Sequence, residues 1–445
     1  MERIAMVLGA GKSGINACRL LADKGFGIRL FDGNTGLDIK SVRDKCADVE
    51  QLELVLGSCR DEDLDGVELC VISPGIDLEQ PVVRQILDRG IPLIGELELA
   101  YRYDKGTVIA ITGTNGKTTT TALLGQIMEE AGRNTLTVGN IGTAYTEEVH
   151  RSTEDSVSVA EVSSFQLETI DTFHPHISAI LNITPDHLNR HKTMETYVNV
   201  KFDITENQTA EDFCILNYED PYLQGADRRL KPKVYYFSSK RTLAEGAWLM
   251  GDDIMLNVDG REQLVADIHE LNLLGRHNYE NVMAAVLMAV SYGIPLDSIR
   301  KTLKRFTAVE HRIEFSGEKN GVRFYNDSKG TNPDAAIQAI RAMVRPTVLI
   351  AGGYDKGSTY DEWIAACVGK VKHLVLMGTT AKKIGETAER FGITAITYVN
   401  SMEEAVAVAK EKAENGDAVL LSPACASWDM FTSYEERGRI FKSLV

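Results

Sequence analysis

Three things are scarce in this chain of 445 residues, and each scarcity excludes a class of function. Basic charge is short, with 48 Lys and Arg against 64 Asp and Glu and a formal net charge of -16. A general nucleic-acid binder needs a basic face for its phosphate contacts, so that class is excluded, and the acidic surplus means little beyond a well-solvated surface. Cysteine is sparse, seven in all with no C-x-x-C pair. An odd, scattered set in a chain this long argues for reduced thiols that pack as small buried hydrophobes. Long apolar runs are missing too, since none approaches the ~18 residues of a membrane span. Residues 1–14 read as a strand and turn, without the basic start and cleavage site of a signal peptide. The expectation is a cytoplasmic protein.

What the chain does have is apolar content, 44% hydrophobic residues, distributed over alternating strand and helix signals. Such alternation predicts the α/β class with parallel sheets, and the length allows about three domains. The rest is organised around residues 107–121, TVIAITGTNGKTTTT. Val108, Ile109, Ala110 and Ile111 read as a strand, Gly113 and Gly116 as a turn, and a helix opens at Lys117 with Ala122, Leu123, Ile127 and Met128 on its apolar face. The first N–H groups of a helix lack intrahelical partners and its dipole is positive there, so the combination makes a phosphate site. Lys117 adds a point charge for the β- and γ-phosphates, and Thr118 a hydroxyl for a magnesium ion. The strict pattern G-x-x-x-x-G-K-S/T wants glycine where Ile111 stands, which makes this loop a variant.

Upstream, a strand at 4–8 leads into Gly9, Gly11 and Gly14, and a helix follows to about Lys24. The spacing is that of a dinucleotide-type turn, and Asp32 closes the next strand, 28–31, where such folds set an acid on a ribose hydroxyl. A second turn, Ser73, Pro74 and Gly75, follows the strand 69–72. Strand ends of this kind line the crevice of an open α/β sheet. A nicotinamide cofactor, a nucleotide-linked substrate and a purely structural tight turn all fit this spacing.

Downstream, polar residues keep collecting at strand ends. The strand 135–138 runs into a turn of Gly139, Asn140 and Gly142; 157–160 ends at Glu161 with Ser163 and Ser164 beyond; 176–181 ends in Asn182, Asp186 and His187. A carboxylate beside a phosphate loop is expected as a magnesium ligand, against the plainer reading of a capping glutamate. His187 is a metal-ligand candidate, against the structural role that lone histidines more often play. Lys201 lies in a helix expected over 194–207 and reads locally as an exposed lysine, while Tyr235, Phe237 and Trp248 read as packing residues. Asn278 is expected to cap a long helix, and Asn281 lies a turn inside it, where capping explains less. Residues 303–309 read as a linker. A third region, with strands at 322–325, 347–351, 374–377, 395–398 and 418–421, predicts a small sheet of five or six parallel strands.

The motifs GTNGKTTT (113–120), Glu161 with Ser163 and Ser164, Asp186-His187, HNYEN (277–281), EHR (310–312), NDSKGTN (326–332), GGYDKG (352–357) and SPACASWDMF (422–431) occur in one order over almost the whole chain. In this the chain resembles the Mur ligases, and NDSKGTN and SPACASWDMF resemble the branch that adds D-glutamate. Gly330, where relatives often carry alanine, and Tyr354, in the glycine-rich lysine loop, are small departures. The resemblance implies three domains: a Rossmann-like UDP-substrate domain at 1–95, a central P-loop ATPase domain at 96–306 and a Rossmann-like amino-acid-binding domain at 307–445.

It also implies roles. Gly113, Thr114, Asn115, Gly116, Lys117, Thr118 and Thr119 would hold ATP, with Asn281, Arg312 and Asp327 on its adenine, phosphate and ribose. Thr118, Glu161, His187 and a carbamylated Lys201 would serve two Mg²⁺ ions, which reverses the local reading of Lys201. Gly14, Ile15, Asp32, Ser73 and Asn140 would hold the UDP-linked substrate, so the dinucleotide reading of the first turn gives way. Lys329, Thr331, Lys356, Ser427 and Tyr434 would surround D-glutamate. Lys117, His187, Lys201, Arg312 and Lys329 are the catalytic set. The implied activity is ATP-dependent amide ligation of D-glutamate to UDP-N-acetylmuramoyl-L-alanine through an acyl phosphate, by a monomer. A ligase of the folylpolyglutamate synthetase kind lacks the first nucleotide-type domain, so the turns at Gly9 to Gly14 and Ser73 to Gly75 speak against it. A Mur ligase for another amino acid, a dehydrogenase fused to an ATPase, and a nucleotide-gated binding module are the remaining alternatives.

Overall fold

The computed structural model describes residues 3–140, 143–307 and 310–445. The expected turn reaching Gly142 and the linker ending at Val309 therefore lie partly outside the described residues. The first sheet is parallel, with β1 (Arg3–Leu8), β2 (Phe26–Asp32), β3 (Leu52–Leu56), β4 (Val67–Ile72) and β5 (Leu93–Gly95) in the order β3-β2-β1-β4-β5. The second contains β6 (Thr107–Thr112), β7 (Asn134–Gly139), β8 (Ser156–Glu161), β9 (Ile177–Ile180), β10 (Phe213–Asn217), β11 (Lys233–Ser238), β12 (Gly246–Met250), β13 (Asp253–Val258) and β14 (Arg261–Asp267). Their order is β14-β13-β12-β11-β10-β9-β6-β8-β7, parallel from β12 to β7, with β13 antiparallel to β12.

The third sheet holds β15 (Glu314–Lys319), β16 (Val322–Asn326), β17 (Thr347–Ala351), β18 (Val371–Leu376), β19 (Ile396–Tyr398) and β20 (Ala418–Leu421), ordered β15-β16-β20-β17-β18-β19. Its inner strands TVLIA and AVLL are buried along their whole length, because apolar layers cover both faces. Leu349, Leu376 and Leu420 pack on one side, and Val348, Ile350, Val375 and Val419 on the other. The five expected strands pair parallel, and a sixth that was not expected, β15, pairs antiparallel with β16. The segment Glu-Phe-Ser-Gly-Glu-Lys is mostly polar, so it carries no strong strand signal and takes the edge position, where a solvated face is tolerated. The helix expected over 194–207 stops at Phe202 and gives way to a 3₁₀ turn, Asp203–Thr205.

The chain divides into two compact units, Met1–Ala266 with Glu280–Leu303, and Asp267–Tyr279 with Lys304–Val445. The first unit holds the first two sheets over one continuous core, running from Val7, Ile15 and Leu21 through Leu97 and Tyr145 to Ala110 and Ile180. All seven cysteines are buried free thiols, and Tyr235, Phe237 and Trp248 are buried as expected. Among the described residues no helix is long and apolar enough to cross a membrane.

Candidate active site

The phosphate loop leaves β6 at Gly113 (φ +149°) and enters the helix Lys117–Glu130 through Gly116 (φ +89°), conformations that glycine alone adopts cheaply. A Cβ on Gly116 would also sit 2.3 Å from Asn281 Oδ1, which puts Asn281 against the loop. The loop is laced from the neighbouring strand end. Asn182 accepts the Asn115 amide at 2.8 Å and donates to the Asn115 carbonyl at 2.9 Å. The Thr114 hydroxyl accepts the Thr184 amide at 3.0 Å and lies 3.1 Å from the Tyr197 hydroxyl. Lys117 folds back to donate to the carbonyls of Gly113 (2.8 Å) and Thr114 (2.9 Å). Ile111 sits wholly buried inside β6, so this lacing does the shaping that a further glycine would do.

Lys201 is 1% exposed, and the local reading of an exposed lysine is overturned. On the helix Met194–Phe202 it follows the buried Tyr197 by four residues and Val198 by three, so it belongs to the inward stripe. Its ammonium donates to the Gly113 carbonyl at 3.0 Å and lies 4.6 Å over the Tyr197 ring. Burial, and then the Lys117 charge, hold its pKa well below the ordinary lysine range, with Asp186 opposing them.

Glu161 is buried at the end of β8, in register with Ile111 of β6 and Gly139 of β7. Its Oε1 accepts from Asn140 Nδ2 at 3.0 Å, and its Oε2 is buried with no hydrogen-bond partner among the described residues. An unserved carboxylate oxygen in the interior is costly, and a cation is what it fits, so Glu161 with the Thr118 hydroxyl suits a hard divalent ion. His187 is half-exposed and held at φ +53°, an uncommon conformation for a side-chain-bearing residue, with its Nε2 3.4 Å from Asp186. Two neighbours went unnoticed in the sequence. Arg190 donates to Glu168 at 3.0 Å and to the Pro74 carbonyl at 2.7 Å, tying the His187 loop to the second turn of the first sheet. His191 is buried beside Ser164 at 2.9 Å, its pKa pushed down to about 4 by burial first and then by the charges of Arg190 and other neighbours.

In the first sheet the strand order reverses between β1 and β4, and the two turns meet at that switch point. A Cβ on Gly14 would fall 1.8 Å from the Gly9 carbonyl oxygen and 3.0 Å from Ser73 Oγ, so the helix start can close on the turn only as glycine. Ser73 Oγ is buried without a hydrogen-bond partner among the described residues. The Asp32 carboxylate accepts the amides of Ala10 and Asn34, both at 2.9 Å, and Ile15 buries its side chain while its amide serves Gly11.

In the second unit, the loops at the carboxyl ends of β16, β17 and β20 carry the expected residues. Asp327 is buried, accepts from Ser422 Oγ at 2.8 Å, and has its pKa raised to about 6 by burial, against the pull of Arg312. A Cβ on Gly330 would lie 2.4 Å from Asp327 Oδ2, so the departure to glycine makes room for this carboxylate. Lys329 rests 5.6 Å from the Tyr434 ring centroid, and Lys356 rests 5.3 Å from that of Trp428. Thr331 precedes Asn332, which caps the helix Pro333–Ala342, and Ser427 is buried. Arg437, also unnoticed in the sequence, is fully buried. It donates to Ser328 Oγ (2.9 Å), the Ser328 carbonyl (2.7 Å) and the Cys425 carbonyl (3.2 Å), clamping the loop of Lys329 to that of Ser427.

Comparison with known proteins covers the same three regions. The family model "Mur ligase MurD-like, N-terminal domain" matches residues 3–95, "Mur ligase middle domain" matches 111–289, and "Mur ligase, glutamate ligase domain" matches 311–425. A protein of Lachnospira eligens named UDP-N-acetylmuramoylalanine--D-glutamate ligase is 53% identical over 444 residues, covering 100% of this chain and 98% of that protein. One of the same name from Lachnoclostridium phytofermentans is 50% identical over 440 residues, covering 99% and 97%. Among solved structures, UDP-N-acetylmuramate-alanine ligase MurC from Thermotoga maritima aligns with a TM-score of 0.62 at 16% identity, covering 99% of this chain and 98% of that one. MurF ligase from Thermotoga maritima, in complex with ADP, aligns with a TM-score of 0.62 at 15% identity, covering 94% and 95%. These two share the fold. With family models matching all three regions and near-half identity over its whole length, the chain belongs to the Mur ligase family.

Proposed function

We propose that this chain joins D-glutamate to UDP-N-acetylmuramoyl-L-alanine at the expense of ATP, in peptidoglycan synthesis. The observation that carries the reading is end-to-end similarity to relatives of that name. The muramoyl-alanine carboxylate attacks the γ-phosphorus, the bond to the bridging oxygen of ADP breaks, and an acyl phosphate forms. The D-glutamate nitrogen then adds to the carbonyl carbon, and the tetrahedral oxyanion expels phosphate as the nitrogen loses a proton. Bringing a carboxylate onto a phosphate sets anion against anion. Lys117 and the amides at the start of the helix Lys117–Glu130 offset that repulsion, and Arg312 keeps its assignment to ATP. Thr118, Glu161, His187 and a carbamylated Lys201 are the groups assigned to two Mg²⁺ ions, which when bound supply further neutralisation.

The burial of Lys201 supports the carbamate. A lysine held below its ordinary pKa gives up its proton more readily, and the neutral amine adds to carbon dioxide and sheds a proton to become a carboxylate-like group. Gly113, Thr114, Asn115, Gly116, Thr119, Asn281 and Asp327 are assigned to ATP. Gly14, Ile15, Asp32, Ser73 and Asn140 are assigned to the UDP-linked substrate, and Lys329, Thr331, Lys356, Ser427 and Tyr434 to D-glutamate, whose two acids suit cations. The domains are assigned as 1–95, 96–306 and 307–445, in a monomer acting in the cytoplasm, where ATP is available. Phosphate release with UDP-N-acetylmuramoyl-L-alanine and ATP, adding one amino acid at a time, tests the reading. Release with D-glutamate alone is expected; release with L-lysine or diaminopimelate overturns it.

A further inference from the structure

Trp428 is 64% exposed and Tyr354 is 43% exposed, a costly display for two large rings that serve no core. They belong to the loops after β20 and β17, which a backbone bridge fastens together: the Tyr354 amide donates to the Ala426 carbonyl at 2.9 Å. The two rings meet at 5.7 Å between centroids, tilted by 55°, and the Lys356 ammonium lies over the indole at 5.3 Å. The one carboxylate adjacent in this loop, Asp355, is engaged elsewhere, accepting the Gly357 amide at 2.8 Å and facing Lys383 at 3.4 Å. Among the described residues Lys356 has no ion pair. A carboxylate partner would cancel the charge of an ammonium, whereas an aromatic face attracts it and leaves it whole.

We propose that Trp428, backed by Tyr354, is a positioning residue that holds the Lys356 ammonium, uncancelled, for a carboxylate of the incoming amino acid. The proposal rests on the assignment of Lys356 to D-glutamate made above. It explains why the loop that departs from its relatives at Tyr354 still presents its lysine: the tyrosine steadies the ring on which the lysine lies.

The test is steady-state kinetics of the full chain with W428L, W428F, K356A and W428L/K356A. W428L is expected to raise the KM for D-glutamate about two- to fivefold, as a cation–π contact of this exposure would, with the KM for ATP within about 1.5-fold and kcat falling less than KM rises. W428F, which keeps a weaker aromatic face, falls between W428L and the parent. In the K356A background W428L adds nothing further. An unchanged KM in W428L beside a raised KM in K356A overturns this proposal and leaves the assignment of Lys356 standing. An unchanged KM in K356A overturns both. An undiminished W428L effect without Lys356 overturns the proposal, because the indole would then act on something other than this ammonium.

Discussion

Two pairs of lysines, one in each unit, differ in what holds them, although Lys201 also lies over the Tyr197 ring. Lys117 and Lys201 turn inward, donate to the same Gly113 carbonyl, and lie close enough that one depresses the pKa of the other. Lys329 and Lys356 rest on aromatic faces, those of Tyr434 and Trp428. A lysine nitrogen held by backbone carbonyls has little freedom, and it suits a group whose position must be set in advance. A ring-held ammonium near solvent keeps its whole charge, and it suits a substrate that diffuses in and out.

The strongest way to break this contrast is Lys117→Met. Turnover is expected to fall about a thousandfold, measured as phosphate release, because the loop loses its point charge. A loss under tenfold would place Lys117 with the dispensable lysines. Next in size is Lys201→Ala, expected to cost turnover about a hundredfold and to recover in part with acetate or formate, with bicarbonate stimulating the parent enzyme. Lys201→Met separates chemistry from folding. The folded pKa of Lys201 is depressed, so the unfolded chain binds the extra proton and this group's contribution to stability rises with pH up to the ordinary value of 10.5. The melting temperature of Lys201→Met is therefore expected to exceed that of the parent at neutral pH and to converge with it toward pH 10. A variant melting below the parent at neutral pH would mean that the buried amine stabilises the fold. The smallest effect is on salt. Raising NaCl from about 0.05 to about 0.5 M should raise the KM for D-glutamate about threefold and the KM for ATP less, since exposed charges are screened more than buried ones.

Much of this was legible in the sequence because it is periodic or local. Apolar strands ending in glycine or polar turns located the phosphate loop, the two turns of the first sheet and the strand ends of the second unit, and the N-terminal family match covers the part that a folylpolyglutamate type would lack. What escaped was decided by packing at a distance. Lys201 reads as solvated until one notices that it shares a helical face with Tyr197. Arg437 likewise shares a face with Phe441 and is buried with it. Arg190 matters through the Pro74 carbonyl, more than a hundred residues earlier in the chain, and no spacing rule announces such a bond. The strand β15 has too few apolar residues to be seen before its partner is known.

The lacing of the phosphate loop by Asn182, Thr184 and Tyr197 has a calorimetric consequence. Residues 113–116 lose their conformational freedom when the protein folds, so a nucleotide seating itself there has little left to order. Binding to such a loop should release heat with only a modest entropic penalty. Cutting one lace, for instance Asn182, would weaken the nucleotide through entropy, although Asn182 need never touch it.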